Sequence, residues 1–225
     1  MPYAKPPFRD RLDAGRILAK RLQRYPAGDA IAFAIPRGGV PVAAVVAKTL
    51  GIPLDIIVSR KIPIPADPEA GYGAVTEDGA IVLNTPLVQR LRLTAQQIER
   101  HAEAVRAEIR RRQSVFRSIL PASPTEGRTA IVIDDGLASG YTMMAAVRSL
   151  RERGAARVIA AAPVASLGAT LSLKAVADDV VADVVSAGYS FAVASFYEHW
   201  HDLTDEEVLN ELERYAEDSG DCGDD

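Results

Sequence analysis

Two adjacent carboxylates, Asp134 and Asp135, stand directly after an apolar run at residues 131–133. A short loop of glycines and small residues follows, and Thr142 then opens an apolar helical pattern. This order is typical of a buried parallel strand that leads through a loop into a helix, which is where open α/β sheets bind ligands. Loop amides and a helix N-terminus suit a phosphate, whereas two carboxylates would repel one. The stretch therefore predicts a ligand with a phosphate on one side and hydroxyl groups or a metal on the other, as in a sugar phosphate.

The loop does not match the other common phosphate-binding motif, G-x-x-x-x-G-K-[ST]. Gly136 and Gly140 are one residue too close together for that motif, and Tyr141 stands where the motif has its lysine. The dinucleotide motif G-x-G-x-x-G does not occur in the chain either. An ordinary strand, turn and helix with acidic turn residues is the structural alternative to a sugar-phosphate site.

Residues 131–143 resemble the PRPP-binding signature of the type I phosphoribosyltransferase family, in which an apolar strand, Asp-Asp, a five-residue phosphate loop and Thr follow one another. PRPP is 5-phosphoribosyl-1-pyrophosphate. The chain is similar to uncharacterised bacterial phosphoribosyltransferase-like proteins, whose acceptors are not established. The resemblance implies that Asp134 and Asp135 hold the ribose hydroxyls, directly or through metal-bound water. It also implies that the loop binds the phosphates of PRPP through Gly136, Ala138, Ser139, Gly140, Tyr141 and Thr142.

A second glycine-containing loop follows the apolar run at residues 30–35. The chain there reads Pro36-Arg37-Gly38-Gly39 before a helical pattern begins. Glycines allow a backbone to approach a ligand closely, and the amides of a helix N-terminus together with Arg37 make an anion site. We expect pyrophosphate there, because the family resembled places a pyrophosphate loop after its first core strand, often with a similar Arg-Gly-Gly. A plain turn and helix cap is the alternative.

Arg60 and Lys61 follow the apolar run at residues 54–58, at the start of a long stretch rich in proline and glycine. The composition of residues 59–84 argues against a helix or a central strand, and leaves room only for short strands around 74–75 and 80–83. In the family resembled, a flexible loop after the second core strand closes over PRPP, and basic residues near its start contact pyrophosphate. The resemblance implies this role for Arg60 and Lys61. Ordinary surface residues at a strand end are the alternative.

The resemblance implies a reaction that transfers ribose 5-phosphate from PRPP to a nitrogen acceptor, usually on a nucleobase, with release of pyrophosphate. Mg²⁺, Arg37 and Lys61 would neutralise the leaving pyrophosphate, and Asp134 and Asp135 would contact the metal indirectly, through PRPP or water. The two aspartates would also stabilise an oxocarbenium-like transition state. A regulatory protein that binds or senses PRPP without turnover is the alternative. A PRPP synthase is disfavoured, because that enzyme needs an ATP site and usually a longer, duplicated chain.

The acceptor is harder to infer than the donor. Family members that act on 6-oxopurines usually carry an aspartate at the loop position of Ala138, and because an alanine cannot accept a proton, hypoxanthine and guanine are disfavoured. A hood over the acceptor would come from residues 3–8 and 191–200. In the second segment, three aromatic rings could stack on a planar acceptor: Phe196, Tyr197 and Trp200. Hydrophobic packing of these rings is the alternative.

The composition is that of a globular protein, with 48% hydrophobic and 25% charged residues among 225. No apolar run is long enough to cross a membrane, no signal-peptide core is present, and the one cysteine, Cys222, lies in a polar tail, so we expect a cytoplasmic protein. The net charge of −4 and the acidic residues 205–225 disfavour nucleic acid as a partner. We interpret the basic stretch as the solvated side of a long helix: Arg106, Arg110, Arg111, Arg112 and Arg117.

Alternating strand and helix patterns predict an α/β fold with a central, mostly parallel sheet flanked by helices. We expect strands at 30–35, 54–58, 129–134, 158–164 and 180–185, and helices at 8–22, 39–50, 94–116, 141–153, 167–176 and 206–216. One domain would span residues 1–225, with a core at about 25–190, a hood from the N-terminal segment and about 190–217, and an acidic tail at 218–225. Dimerisation is common in the family resembled, and helix 94–116 is one candidate surface for a homodimer.

Overall fold

A parallel sheet of five strands lies at the centre of the computed structural model, which describes residues 5–65, 67–188 and 190–220. The sheet has the strand order β2-β1-β6-β7-β8, and each neighbouring pair is parallel. Its strands are β1 Ala30–Ala34, β2 Leu54–Ile56, β6 Thr129–Ile133, β7 Arg157–Ser166 and β8 Asp179–Ser186. The predicted parallel sheet is therefore confirmed.

Helices cover both faces of this sheet. On one face, α1, α2, α4 and α7 bury a cluster that includes Leu18, Val46 and Ile109, whereas α5 and α6 pack against Phe33 and Val132 on the other face. Parallel strands buried on both faces read as continuous apolar runs, which is why the short run of β1 is buried at every position. The helices are α1 Arg11–Leu22, α2 Gly39–Leu50, α3 Thr85–Arg90, α4 Ala95–Phe116, α5 Tyr141–Glu152, α6 Leu167–Leu173 and α7 Asp205–Gly220.

The stretch after β2 forms a second, antiparallel sheet in the order β3-β4-β5. Its strands are β3 Ser59–Ile64, β4 Asp67–Thr76 and β5 Ile81–Leu83. The expectation of a long loop with only short strands is wrong for β3 and β4. Proline is accommodated because the register shifts on both sides of Pro63, as it does at irregularities in edge pairings. The expectation that this stretch contains no central strand is also wrong, because β4 lies between β3 and β5 and pairs with both.

Three of the five arginines of the basic stretch turn inward, so the interpretation of that stretch as a solvated helix face is wrong for them. Helix α4 packs against β3 and β4, and the side chains of Arg106, Arg112 and Arg117 are only 16%, 14% and 18% exposed. Arg117, for example, pairs with the buried carboxylate of Asp55. Within the ranges that the structure describes, no helix is both long and apolar enough to span a membrane.

Candidate functional site

The loop at residues 36–39, which we call the Arg37 loop, packs directly on the carboxylate of Asp135 and on the backbone of residues 133–134. The strands β1 and β6 are neighbours in the sheet, and the amide of Ile35 donates to the carbonyl of Ile133 over 2.9 Å. A Cβ atom added to Gly38 would lie 1.9 Å from Oδ2 of Asp135, and one added to Gly39 would lie 2.5 Å from the oxygen of Ile133. Only glycines fit this approach. The structure therefore brings together the two motifs that the sequence placed about 100 residues apart.

Asp135 is held by a residue that the sequence reasoning missed. Nε of Arg11, on the first turn of α1, lies 2.9 Å from Oδ2 of Asp135, and the two side chains are only 8% and 13% exposed. Nη1 of Arg11 also donates to the carbonyl of His201 over 3.0 Å. One signal in the sequence could have found it, because Arg11 falls at helical spacing with the buried Ala14 and Leu18.

Two aromatic residues complete the surroundings of this ion pair. The guanidinium of Arg11 lies 3.9 Å from the ring centre of Trp200, a cation–π contact. The hydroxyl of Tyr197 donates to the backbone carbonyl of Asp135 over 2.6 Å, and burial raises the pKa of Tyr197 far above its ordinary range. The hydroxyl therefore stays protonated and acts as a permanent donor to the backbone of the motif.

The two carboxylates differ in their partners. An oxygen of Asp134 accepts a hydrogen bond from the amide of Asp135 over 2.9 Å. Burial, and then the charge of Asp135, raise the pKa of Asp134 well above its ordinary value. Burial also raises the pKa of Asp135, although Arg11 opposes that change. The charge of Asp135 is thus compensated by Arg11. The carboxylate of Asp134 has no comparable cation beside it among the described residues.

The predicted phosphate loop surrounds a cavity of about 420 Å³ at the N-terminus of α5. The loop is fixed to the sheet because the amide of Leu137 donates to Val164 and the amide of Ser166 donates to Leu137, over 2.9 and 2.8 Å. Gly140 adopts a positive φ of 79° and precedes the first turn of α5. The cavity is lined by Lys61, Ala70, Gly71 and Gly73 from the second sheet, and by Gly136, Leu137, Ala138, Ser139, Gly140, Tyr141 and Thr142 from the loop.

Arg60 and Lys61 serve different places, because successive residues of a strand point to opposite faces. Lys61 lines the phosphate-loop cavity, on the same face as Ser59, whose hydroxyl donates to the carbonyl of Thr142 over 2.9 Å. Arg60 points to α4 and pairs with Glu108. The structure therefore places one of the two predicted basic residues at the cavity and the other against the long helix.

The proposed stacking of the acceptor on Phe196 and Tyr197 is wrong for this arrangement of the chain. Both side chains are about 95% buried, in a cluster with Phe8, Ala14 and Val164, so neither ring has a face free for a ligand. Trp200 is partly exposed, but Arg11 covers one face of its ring. The two segments predicted to form a hood pair with each other, through a backbone bridge between Phe8 and Tyr197. Residues 1–4 and the acidic tail beyond residue 220, which includes Cys222, lie outside the described residues.

The chain belongs to the phosphoribosyl transferase domain family, whose model matches residues 74–195. A Mycobacterium tuberculosis H37Rv protein provisionally named phosphoribosyl transferase Rv0571c is 38% identical over 216 residues, which are 96% of this chain and 48% of that protein. The chain thus spans about half the length of the curated relatives it matches.

Two solved structures share the fold of this chain. The crystal structure of TT1426 from Thermus thermophilus is 38% identical, with a TM-score of 0.77, over 92% of this chain and 98% of that one. AQ2163 from Aquifex aeolicus is only 9% identical but shares the fold, with a TM-score of 0.51 over 84% of this chain and 85% of that one. The α/β fold predicted from the resemblance to type I phosphoribosyltransferases is therefore confirmed.

Proposed function

We propose that this protein transfers ribose 5-phosphate from PRPP to a nitrogen acceptor and releases pyrophosphate. The observation that carries the proposal is the phosphate-loop cavity at the N-terminus of α5, whose loop directly follows Asp134 and Asp135 in the chain, while the carboxylate of Asp135 contacts the Arg37 loop. A ligand spanning these three features needs a phosphate, vicinal hydroxyls and a second anionic group, in that order. PRPP has this arrangement, and the family assignment supports it.

The proposed roles follow from the contacts of each residue. The loop amides at residues 137–141 and the hydroxyls of Ser139 and Thr142 bind the 5-phosphate, with Lys61 supplying charge at the wall of the cavity. Asp134 accepts hydrogen bonds from the ribose hydroxyls, because it lacks the cation that Asp135 finds in Arg11. Asp135 instead positions the Arg37 loop, whose amides and guanidinium bind pyrophosphate.

Magnesium would enter together with PRPP. Within the described residues no three His, Cys, Asp or Glu side chains are grouped to hold a metal, so this part of the chain does not form a closed metal site. Mg²⁺ typically keeps several waters and is bound through one or two carboxylates plus substrate phosphates. Asp134 fits that donor set through water, and the metal would supply charge neutralisation for the diphosphate.

The chemical step breaks the bond between ribose C1 and the pyrophosphate oxygen and forms a bond from C1 to the acceptor nitrogen, whose proton is released to water or to the departing pyrophosphate. Positive charge grows on the ribose as the bond breaks, and an ionised Asp134 carboxylate beside the ribose would stabilise that cation. The departing electron pair stays on pyrophosphate, where Arg37 and the amides before α2 offset the added charge. Holding both reactants in place contributes roughly 7–11 kcal/mol in favourable cases.

The acceptor is proposed to be a nucleobase or a similar nitrogen compound other than a 6-oxopurine. Ala138 is exposed on the phosphate loop, and its carbonyl accepts from the hydroxyl of Ser166 over 2.6 Å. Its methyl group offers no proton acceptor to a purine ring nitrogen. Pyrimidines, 6-aminopurines and small aromatic amines are the classes to try first.

Pyrophosphate release tests the proposal. The protein would be incubated with PRPP and Mg²⁺ and a panel of purines, pyrimidines and aromatic amines, and thermal unfolding would be measured in parallel. At 100 times the dissociation constant, PRPP should stabilise the fold by about 2.7 kcal/mol. Stabilisation with acceptor-dependent release supports the proposal. Stabilisation without release under any acceptor favours a PRPP-binding or sensing protein, and no stabilisation at all refutes PRPP binding.

A further inference from the structure

Three arginines from three separate elements meet beside the Arg37 loop. Arg37 comes from the loop before α2, Arg60 from β3 and Arg112 from the last third of α4. Two carboxylates, Asp205 and Glu108, lie among them. These five side chains, which we call the arginine cluster, therefore carry three positive and two negative charges.

Asp205 lies near two arginines of the arginine cluster, but its contacts with both are long. Its Oδ1 lies 3.5 Å from Nη1 of Arg112 and 3.9 Å from Nη1 of Arg37. That oxygen is buried, and it accepts no hydrogen bond within the described residues. Charge-assisted N–H···O bonds are normally 2.7–2.9 Å long, so this carboxylate is attracted to both guanidiniums but satisfied by neither.

The hydrogen bonding of Arg112 is also incomplete. Its side chain is 14% exposed, and its Nη2 lies 3.3 Å from Glu108, one helical turn away. Its Nε is buried and has no hydrogen-bond partner in the part of the chain that the structure describes. Burial and the neighbouring charge of Arg60 lower the pKa of Arg112. An anion that forms shorter hydrogen bonds than Glu108 and Asp205 do would therefore stabilise the guanidinium of Arg112.

The start of α7 does not depend on Asp205 for its cap. Thr204 and Glu207 form a reciprocal capping pair, in which the amide of Glu207 donates to the Thr204 hydroxyl over 3.1 Å and the amide of Thr204 donates to Glu207 over 2.8 Å. The carboxylate of Asp205 is partly exposed at the edge of the cluster. Its departure would therefore leave the helix capped, but it would remove the ion contacts that hold the first turn of α7 against Arg112 and Arg37.

We propose that Asp205 is an internal competitor for the diphosphate of PRPP, and that Arg112 is a diphosphate-binding residue once Asp205 has moved out. The inference rests on the proposed function, because it assigns a regulated diphosphate end to the same site. Arg37 is shared between the resting contact with Asp205 and the bound contact with the ligand. Diphosphate binding would thereby shift the first turn of α7.

The test is isothermal titration of inorganic pyrophosphate with Mg²⁺ into wild type and four variants. Asp205→Asn should bind pyrophosphate about five- to tenfold more tightly than wild type, because the competing charge is gone, and Arg112→Gln should bind at least about tenfold more weakly. Two exposed neighbours serve as matched controls, Asp202→Asn and Arg111→Gln, and both should bind as wild type does. Thermal unfolding without ligand checks that each variant is folded.

Hydrogen exchange gives a second readout that a structural role of Asp205 would not produce. Pyrophosphate should speed exchange of the amides at residues 205–208 in wild type and leave them unchanged in Asp205→Asn. If Asp205→Asn binds pyrophosphate no more tightly than wild type does, the inference is refuted. The proposed function still stands in that case, provided that wild type binds PRPP. If wild type binds neither pyrophosphate nor PRPP, both the inference and the proposed function are refuted.

Discussion

Replacing Arg11 by methionine is the perturbation whose consequence the structure defines best. Methionine keeps apolar bulk against Trp200 but removes the positive charge 2.9 Å from Asp135 and the hydrogen bond to His201. Asp135 would then remain buried against Gly38 with no other cation paired to it among the described residues. The variant thus isolates the electrostatic part of the contact between α1 and Asp135.

The magnitude follows from the burial of the pair. Breaking a buried ion pair by removing one partner costs about 3–5 kcal/mol, because the remaining charge is uncompensated. In a chain of this size, that corresponds to a loss of roughly 6–20 °C in melting temperature. The loss should be larger at about pH 8 than at about pH 5. Without Arg11 the folded-state pKa of Asp135, already raised by burial, rises further, and stability falls as pH increases through that range.

A double-mutant cycle is the assay. Urea unfolding of wild type, Arg11→Met, Asp135→Asn and the double variant gives the coupling free energy between the two side chains, which we expect to be about 2 kcal/mol. The double variant should be more stable than Arg11→Met, since no unpaired charge remains. A coupling below about 0.5 kcal/mol, or a penalty for Arg11→Met that is the same at both pH values, would refute the reasoning.

Three further predictions concern residues of the proposed PRPP site. Gly39→Ala should cost about 1–3 kcal/mol of stability and weaken PRPP binding, because its Cβ would lie 2.5 Å from a backbone oxygen. Gly28→Ala is the control, because a Cβ there would meet no described atom within 4 Å. Equal urea midpoints of the two variants would contradict the prediction. Asp134→Asn should stabilise the ligand-free protein at about pH 7 yet weaken PRPP binding roughly 10–100-fold. The sign of the stability change follows from the pKa of Asp134, which burial and the charge of Asp135 raise above the ordinary 3.8. Wild-type stability therefore falls as pH rises from 3.8 through the raised pKa. A variant that melts below wild type at neutral pH would count against this prediction. Lys61→Met should weaken binding of ribose 5-phosphate at least about tenfold, whereas the exposed Lys174→Met should not, and equal affinities by calorimetry would remove Lys61 from the phosphate site.

The parallel sheet and the two loops could be predicted because their signals are local. Apolar runs such as Ile131–Ile133 end at a carboxylate or a glycine within a few residues, and a helical pattern follows each loop closely. The motifs then meet because the carboxyl ends of β1 and β6 are adjacent in the sheet.

The second sheet was missed because its signals conflict. Proline and glycine in residues 59–84 disfavour strands, and the pairing of β3 with β4 depends on the shifted register at Pro63, which composition does not show. Arg11 and Arg112 were missed for a different reason. Each of these arginines has a partner that is distant in sequence, Asp135 in one case and Asp205 in the other, and only the packing of α1, α4 and α7 brings them together.

Calorimetric titration of PRPP with Mg²⁺ into wild type and Asp134→Asn tests the central claim most directly. The account predicts one site per chain in wild type and about 10–100-fold weaker binding by the variant, with pyrophosphate competing for the same site. Absence of binding by wild type, or equal affinities of the two proteins, would contradict the assignment of the two loops and Asp134 to a PRPP site.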